Sequence, residues 1–106
     1  MAQIPQIHVE DLKARRDIGE TLFLLDVRDP NEYALSNLGG YLIPLDKLPQ
    51  RIGELDKNRE TIVHCKGGVR STLACELLIA NGFTNVKNLA GGIIAWVQKI
   101  DPKLPV

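Results

Sequence analysis

Apolar runs rich in valine, isoleucine and leucine alternate along the chain with segments of helical periodicity. A parallel sheet produces continuous apolar runs of this kind, because helices cover both of its faces. Five such runs are predicted strands, at residues 7–9, 22–27, 42–43, 61–65 and 86–89. The pattern therefore predicts an α/β fold, in which a mainly parallel sheet carries helices on both faces.

Five further segments have the spacing of helices, at residues 10–17, 30–36, 48–55, 69–81 and 92–100. The helix after the fourth strand has the clearest pattern, with Leu73 and Leu77 four positions apart and Gly82 at the place of a left-handed terminus. Pro102 and Pro105 prevent the last helix from continuing into the tail. Without an internal repeat or a flexible linker, residues 1–106 are predicted to form a single domain.

The composition is that of an ordinary globular protein, with 44% hydrophobic and 25% charged residues. Thirteen basic residues balance thirteen acidic ones, so the charge gives no indication of a nucleic-acid or membrane partner. The longest uncharged stretch, residues 34–45, contains polar residues and a proline and is unsuited to span a bilayer. The N-terminus lacks the basic and apolar regions of a signal peptide, and a cytoplasmic location is expected.

Two cysteines, Cys65 and Cys75, are too few for a secreted disulfide scaffold, so reduced thiols are expected. The tight CxxC or HxxxH spacings of metal clusters are absent from the sequence. No GxxxxGK[ST] or GxGxxG element indicates a nucleotide site. We therefore expect the chain to use neither a metal nor a cofactor.

The strongest indication of chemistry is Cys65, which ends a predicted strand four residues before a predicted helix begins. The first N–H groups of a helix lack internal partners, and the helix dipole adds partial positive charge at the same end. Glycines can adopt the positive φ angles that curl successive amides into an anion-binding nest. The loop predicted to surround the sulfur consists of Lys66, Gly67, Gly68, Val69, Arg70 and Ser71.

This environment favours the thiolate of Cys65, because a cysteine pKa of ~8.5 falls to about 3.5–7.5 at helix N-termini and beside cations. A persulfide needs the same field more strongly, since its outer sulfur carries the charge and is the atom transferred. We predict that Cys65 is the nucleophile and sulfur carrier, that the loop amides stabilise the anion, and that Arg70 is the charge partner. This prediction requires amides turned towards the sulfur, and a thiol that solvent or partners can reach.

Three motifs carry a family resemblance: LLDVRDPNEY with Asp26, Arg28 and Glu32, CKGGVRS with Cys65 first, and LAGGIIAW with Trp96. In this order they resemble the D-V-R-x-x-x-E-[FY] element, the active-site loop Cys-x-x-Gly-x-Arg and the G-G-x-x-x-W element of rhodanese domains. The resemblance covers nearly the whole chain. It implies a three-layer fold around a mainly parallel five-stranded sheet, and a sulfurtransferase that moves sulfur from thiosulfate to cyanide in vitro.

A finer resemblance is to the C-terminal rhodanese domain of molybdopterin-synthase adenylyltransferase/sulfurtransferase proteins, which have a stretch like residues 37–45. It implies that the sulfur comes from thiosulfate or from a persulfide-bearing protein. The implied acceptor is a ubiquitin-like sulfur carrier in molybdopterin or thiamine biosynthesis, and the chain could then be an excised domain of a longer protein. Asn37 stands where many rhodaneses have a histidine, so no role of that histidine is carried over.

Four other residues have simpler structural interpretations. Cys75 lies within a predicted helix and is expected to be a packed core thiol. His64 precedes the nucleophile, but adjacent strand residues face opposite sides of a sheet, so direct proton exchange with Cys65 is not expected. Asp26 and Arg28 end a buried strand and are expected to form a structural ion pair or a cap near the site.

Two other functions remain open from the sequence. A cysteine-dependent phosphatase also places a Gly-rich loop and an arginine after His-Cys, but its motif is Cys-x5-Arg, whereas four residues separate Cys65 from Arg70. The smaller loop suits one sulfur atom better than a phosphoryl group. A silent rhodanese-like module that only binds partners typically lacks the cysteine, and Cys65 is present here.

Overall fold

Five strands form one parallel sheet in the computed structural model of the chain, which describes residues 3–106. They are β1 (Gln6–Ile7), β2 (Leu24–Asp26), β3 (Tyr41–Leu42), β4 (Thr61–His64) and β5 (Val86–Leu89). Their order across the sheet is β1-β5-β4-β2-β3, and every neighbouring pair is parallel. The predicted α/β class is confirmed, and β4, which leads to Cys65, is the central strand of the sheet.

Helices cover both faces of the sheet and enclose two apolar clusters. They are α1 (Val9–Asp17), α2 (Pro30–Leu35), α3 (Leu48–Arg51), α4 (Val69–Ala80) and α5 (Gly92–Lys99). Leu25 and Val63 pack in one cluster with side chains of α3 and α4. Their strand neighbours Leu24 and Ile62 pack in the other cluster, with side chains of α1 and α5. This alternation places each cluster on its own face of the sheet, which gives the three predicted layers.

The chain turns into its first helix earlier than predicted. Residues 7–9 were expected to be a strand, but β1 ends at Ile7 and Val9 already begins α1. His8 is the extended residue before the helix, and Glu10 and Asp11 lie in the first turn, where their negative charge favours the helix N-terminus. Val9 is buried in the cluster that also contains residues of α5, so packing as well as charge determines this boundary.

The helix predicted at residues 48–55 is broken into shorter pieces. A 3-10 turn at Leu45–Lys47 precedes α3, and a second one at Ile52–Glu54 follows it. Pro49 lies in the first turn of α3, where its missing N–H is tolerated, but Gly53 has a low helix propensity and lies where the α-helix has given way to a 3-10 turn. The short pieces still bury Leu48 against the sheet.

The loop after β4 is held by the N-termini of two helices. It reaches α4 through Gly68, the residue before the helix, whose φ is 121°. From the other side, the N–H groups of Ile93 and Ile94 in the first turn of α5 donate to the carbonyl oxygens of Cys65 (3.0 Å) and Lys66 (3.1 Å). Both helices therefore determine where the sulfur lies. Within residues 3–106, no helix has the length and apolar character needed to cross a membrane.

Replacing Gly92 with alanine should lower the free energy of unfolding by at least about 2 kcal/mol. Gly92 has φ +61°, and an added Cβ would lie 2.4 Å from the Lys66 carbonyl oxygen and 2.6 Å from that of Cys65. The matched control is Gly53→Ala, where a Cβ would meet nothing within 4 Å. Urea unfolding followed by Trp96 fluorescence measures both variants. Equal stability of the two would contradict the close packing of α5 on the loop.

Candidate active site

Two backbone N–H groups of the loop point at the sulfur of Cys65. The N–H of Gly68 donates to Sγ at 3.1 Å, and the N–H of Ser71 donates to it at 3.4 Å. The first of these bonds requires the backbone of Gly68 to adopt a φ of 121°, which residues with a side chain rarely reach. The junction between β4 and α4 therefore surrounds Sγ with donors that belong to the main chain.

The hydroxyl group of Ser71 lies between the sulfur and the loop. Its Oγ is 3.4 Å from Sγ of Cys65, and it donates to the carbonyl oxygen of Gly68 at 3.1 Å. In the thiol form, the S–H group can donate to Oγ. In the thiolate form, the hydroxyl can rotate and donate to the sulfur. Ser71 can therefore serve either charge state by moving one proton.

These contacts change the acidity of Cys65. Burial raises the pKa of its thiol, but the hydrogen bonds from Ser71, Gly68 and Gly67 oppose burial and bring the pKa below its ordinary value. Cys75 shows the effect of burial without such donors, because burial raises its pKa to about 12. Although both cysteines pack in the same apolar cluster, only Cys65 lies in an environment that favours the thiolate.

The sulfur itself is covered in this structure, because Cys65 is only 1% exposed. The requirement for a thiol that solvent or partners can reach is therefore not met in this structure. Lys66, Gly67 and Val69 are exposed and follow the cysteine directly. A sulfur donor must displace part of this loop to contact Sγ, and a sulfur bonded there would extend about 2.05 Å beyond it.

Arg70 directs its guanidinium group to Glu32 instead of contacting the sulfur. The two N–H bonds are 2.6 Å and 2.9 Å long and reach both carboxylate oxygens of Glu32. The bond to Arg70 lowers the pKa of Glu32 to about 2. Arg70 was predicted to be the charge partner of Cys65; its direct partner in this structure is the Glu32 carboxylate, and the charge of Cys65 acts on it without a contact. Glu32 was not predicted as a site residue, although the LLDVRDPNEY motif contains it.

Asp26 and Arg28 form a buried ion pair below the loop. Nη2 of Arg28 donates to Oδ2 of Asp26 at 2.7 Å and to the carbonyl oxygen of Ser36 at 2.8 Å. His64 lies beside this pair, with Nε2 3.7 Å from Oδ2 of Asp26, and neither of its ring nitrogens has a hydrogen-bond partner. Val63 and Cys65 pack on the opposite face of the sheet from Asp26 and His64, so these charges support the site without touching the sulfur.

Lys66 is the remaining cation of the loop. It is exposed and borders a cavity of about 60 Å³ whose other walls include Arg28, Glu32 and Val106. Among residues 3–106, no group of three His, Cys, Asp or Glu side chains could hold a metal ion. The arrangement can therefore hold a negatively charged sulfur with main-chain donors and attract an anion to the loop with one lysine.

Comparison with protein families gives a match over most of the chain. Residues 8–99 match the model of the rhodanese-like domain. Among solved structures, a rhodanese-like domain protein from Staphylococcus aureus superposes with a TM-score of 0.84 and 32% identity. That match covers 97% of this chain and 98% of the other.

Curated relatives differ in length. The chain is 36% identical to a sulfurtransferase of Allochromatium vinosum over 96 residues, and this aligned region covers 90% of each protein. It is 35% identical to YrkF of Bacillus subtilis, named as a sulfur carrier protein, but spans 55% of its length. It is also 35% identical to the adenylyltransferase/sulfurtransferase MoeZ of Mycobacterium tuberculosis and spans 25% of that protein. The similarity to YrkF and MoeZ therefore concerns one part of each.

Removing the hydroxyl group in Ser71→Ala should raise the pKa of the Cys65 thiol, because one donor to the thiolate is lost while the Ser71 N–H remains. The rate of alkylation by iodoacetamide as a function of pH gives this pKa, and intact mass identifies a single modified cysteine. Thr72→Ser is the control, since its hydroxyl binds the Gly68 carbonyl oxygen and not the sulfur. An unchanged pH profile in Ser71→Ala would show that the hydroxyl does not stabilise the thiolate.

Acidification below pH ~6.5 should destabilise the protein through His64. Burial lowers the pKa of His64 in the folded state, so protons bind the unfolded chain first and the unfolding free energy falls by up to about 1.36 kcal/mol per pH unit. In His64→Gln the decline over this range should be smaller. The carboxylates of Glu32, Glu54 and Glu60, with pKa values of about 2, act at lower pH. Identical slopes in both proteins would contradict the assignment.

Proposed function

We propose that this chain, which belongs to the rhodanese-like domain family, is a sulfurtransferase that carries sulfane sulfur as a persulfide on Cys65. The observation that supports the proposal most strongly is the pair of N–H groups, from Gly68 and Ser71, that donate to Sγ. Donors aimed at Sγ stabilise the Cys65 thiolate, which accepts the sulfur and forms again when the sulfur is passed on.

The first half of the reaction loads the sulfur. The Cys65 thiolate attacks the outer sulfur of thiosulfate, a new S–S bond forms, and the S–S bond of the donor breaks. The electron pair of that bond leaves with sulfite, so no external oxidant or reductant is needed. A persulfide-bearing protein is an equivalent donor, with a protein thiolate as the leaving group.

The second half unloads the sulfur. A nucleophilic acceptor attacks the outer sulfur, the Cys65–S bond to that sulfur breaks, and its electron pair returns to Cys65 as thiolate. In vitro, cyanide is the acceptor and thiocyanate the product. The amides of Gly68 and Ser71 stabilise the leaving thiolate, and the Ser71 hydroxyl can rotate to join them. Lys66 attracts an anionic donor to the exposed part of the loop.

The biological acceptor proposed here is a ubiquitin-like sulfur carrier in molybdopterin or thiamine biosynthesis. Support comes from relatives, since MoeZ is named as an adenylyltransferase/sulfurtransferase and YrkF as a sulfur carrier protein. A maize relative named as the adenylyltransferase and sulfurtransferase MOCS3-2 shares 32% identity over 95% of this chain. The chemistry requires reduced Cys65, and we retain the cytoplasm as the expected location.

The phosphatase alternative is disfavoured by two features of the loop. Four residues separate Cys65 from Arg70, which leaves a ring of amides smaller than a phosphoryl group needs. In addition, both guanidinium contacts of Arg70 are made to Glu32, so this arginine is engaged before any phosphate could bind. The alternative of a silent binding module is disfavoured because Cys65 and its donors are in place.

Incubation with thiosulfate should add the mass of one sulfur atom to the wild type, and intact-mass analysis with peptide mapping should locate it on Cys65. Cys65→Ser should gain no sulfur and lose nearly all transfer to cyanide, because no thiolate can accept the sulfur. Cys75→Ala is the matched control and should retain both properties, since Cys75 is buried in the core with a high pKa.

Two results would reject the proposal. Transfer activity in Cys65→Ser equal to that of the wild type would exclude a carrier role for Cys65. A wild type that is folded and reduced but gains no sulfur from thiosulfate or from a low-molecular-weight persulfide would indicate the silent binding module.

A further inference from the structure

Glu32 is the carboxylate nearest to the cationic side of the sulfur loop, and its position is determined by its own helix. It lies in the first turn of α2, where Asp29 and Glu32 form a capping box. The N–H of Asp29 donates to Oε1 of Glu32 at 3.0 Å, and the backbone N–H of Glu32 bonds to the Asp29 side chain. The carboxylate is thus oriented before it meets Arg70.

The partner of Glu32 belongs to the sulfur loop. Arg70 lies between Val69 and Ser71, and Ser71 contacts Sγ of Cys65 through its N–H. The charge of Cys65 is one of the causes that raise the pKa of Arg70, so the guanidinium lies within electrostatic reach of the sulfur. The bidentate bond, in which the Arg70 and Glu32 side chains are 32% and 27% exposed, holds the guanidinium against Glu32, which lines the small cavity next to Lys66.

We propose that Glu32 is a positioning residue that determines donor specificity: it neutralises Arg70 within the sulfur loop, so that the site selects donors less by negative charge than it would with a free arginine. The inference rests on the proposed function, because it concerns which sulfur donors Cys65 accepts. With Glu32 in place, Lys66 is the unpaired side-chain cation of the loop.

This arrangement has a chemical consequence for sulfur transfer. A second free cation would attract thiosulfate more strongly and would also hold sulfite, its dianionic product. It would further lower the nucleophilicity of the Cys65 thiolate, which falls as its pKa falls. Main-chain donors of Gly68 and Ser71 stabilise the sulfur without this excess of charge. Glu32 therefore keeps the site suitable for donors of low charge, such as an organic or protein persulfide.

A double-mutant cycle of Glu32 and Arg70 tests this inference, because the two single variants should shift the pKa of Cys65 in opposite directions. In Glu32→Gln the freed Arg70 should lower the pKa of the Cys65 thiol, measured by the pH dependence of iodoacetamide alkylation. In Arg70→Met the unpaired Glu32 carboxylate should raise it. In the double variant the pKa should return close to that of the wild type. Gln retains an oxygen that can accept the Asp29 N–H, so the cap of α2 is preserved.

Donor kinetics give the second readout. In Glu32→Gln the KM for dianionic thiosulfate should fall by about fourfold or more, because each of its two charges contributes about twofold at about 10 Å in an effective dielectric constant of about 80, and more where that constant is lower. The KM for monoanionic benzenethiosulfonate should fall by about half as much on a logarithmic scale. Arg70→Met should shift both constants in the opposite direction, and higher salt should reduce every difference.

Matched controls come from a similar ion pair elsewhere in the chain. Arg51 binds Glu54 with two bonds of 2.8 Å and 3.0 Å, and the pKa of Glu54 is likewise about 2. Glu54→Gln and Arg51→Met should change neither the Cys65 pKa nor the ratio of the two KM values. If Glu32→Gln does not fold, Arg70→Met alone still gives a signed result.

The outcomes separate this inference from the proposed function. If the Cys65 pKa shifted in the same direction in all folded variants, including the double one, the inference would be overturned. Such a result would indicate disturbed loop structure, whose effect does not depend on the charge of the residue removed. An unchanged Cys65 pKa together with an unchanged ratio of the KM values for thiosulfate and benzenethiosulfonate would overturn the inference as well. Alkylation does not require sulfur transfer, so a signed cycle in a protein that gains no sulfur would retain the charge role of Glu32 and reject the sulfurtransferase. If Cys65 gained sulfur but the two single variants did not shift its pKa in opposite directions, the sulfurtransferase would be retained and the charge role of Glu32 rejected.

Discussion

The convergence of main-chain N–H groups on one sulfur atom is the constraint on which the rest of this structure depends. Cys65 ends the central strand, and the first turn of α4 begins close enough for Gly68 and Ser71 to donate to Sγ. This geometry needs a positive φ at Gly68, and it needs carbonyl groups of the loop to be held by α5. The sheet order, the helices on both faces and the glycines therefore all contribute to the position of the N–H donors around the sulfur of Cys65.

Four of the charged side chains near this atom form two ion pairs. Asp26 binds Arg28 beneath the loop, and Glu32 binds Arg70 at its side. A buried or half-buried charge is costly without a partner, so pairing allows polar residues to line the site. The sulfur is therefore contacted by neutral main-chain donors and not by a charged side chain, which suits the proposed role of Cys65 as a carrier that releases its sulfur again.

Different parts of the site were predictable to different degrees. The Gly-rich loop after Cys65 was evident, because a helix start directly after a buried strand is a local feature of the sequence. Arg70 looked like a partner of the sulfur for the same local reason, but its actual partner Glu32 is 38 residues away. The burial of Cys65 was likewise not predictable, since it depends on how the loop lies against α5. The break in the helix after Arg51 could have been predicted from Gly53.

The sequence by itself determined the elements and their type, because apolar periodicity, glycines and prolines act over a few residues. It also led to the proposal that Cys65 is the nucleophile, since Cys65, the two glycines after it and the start of α4 are neighbours in the chain. Only the tertiary structure decided which charges neutralise each other and how far the thiol is covered. Those properties arise from distances between α2, α4 and α5, and such distances are determined by packing against the sheet rather than by spacing along the chain.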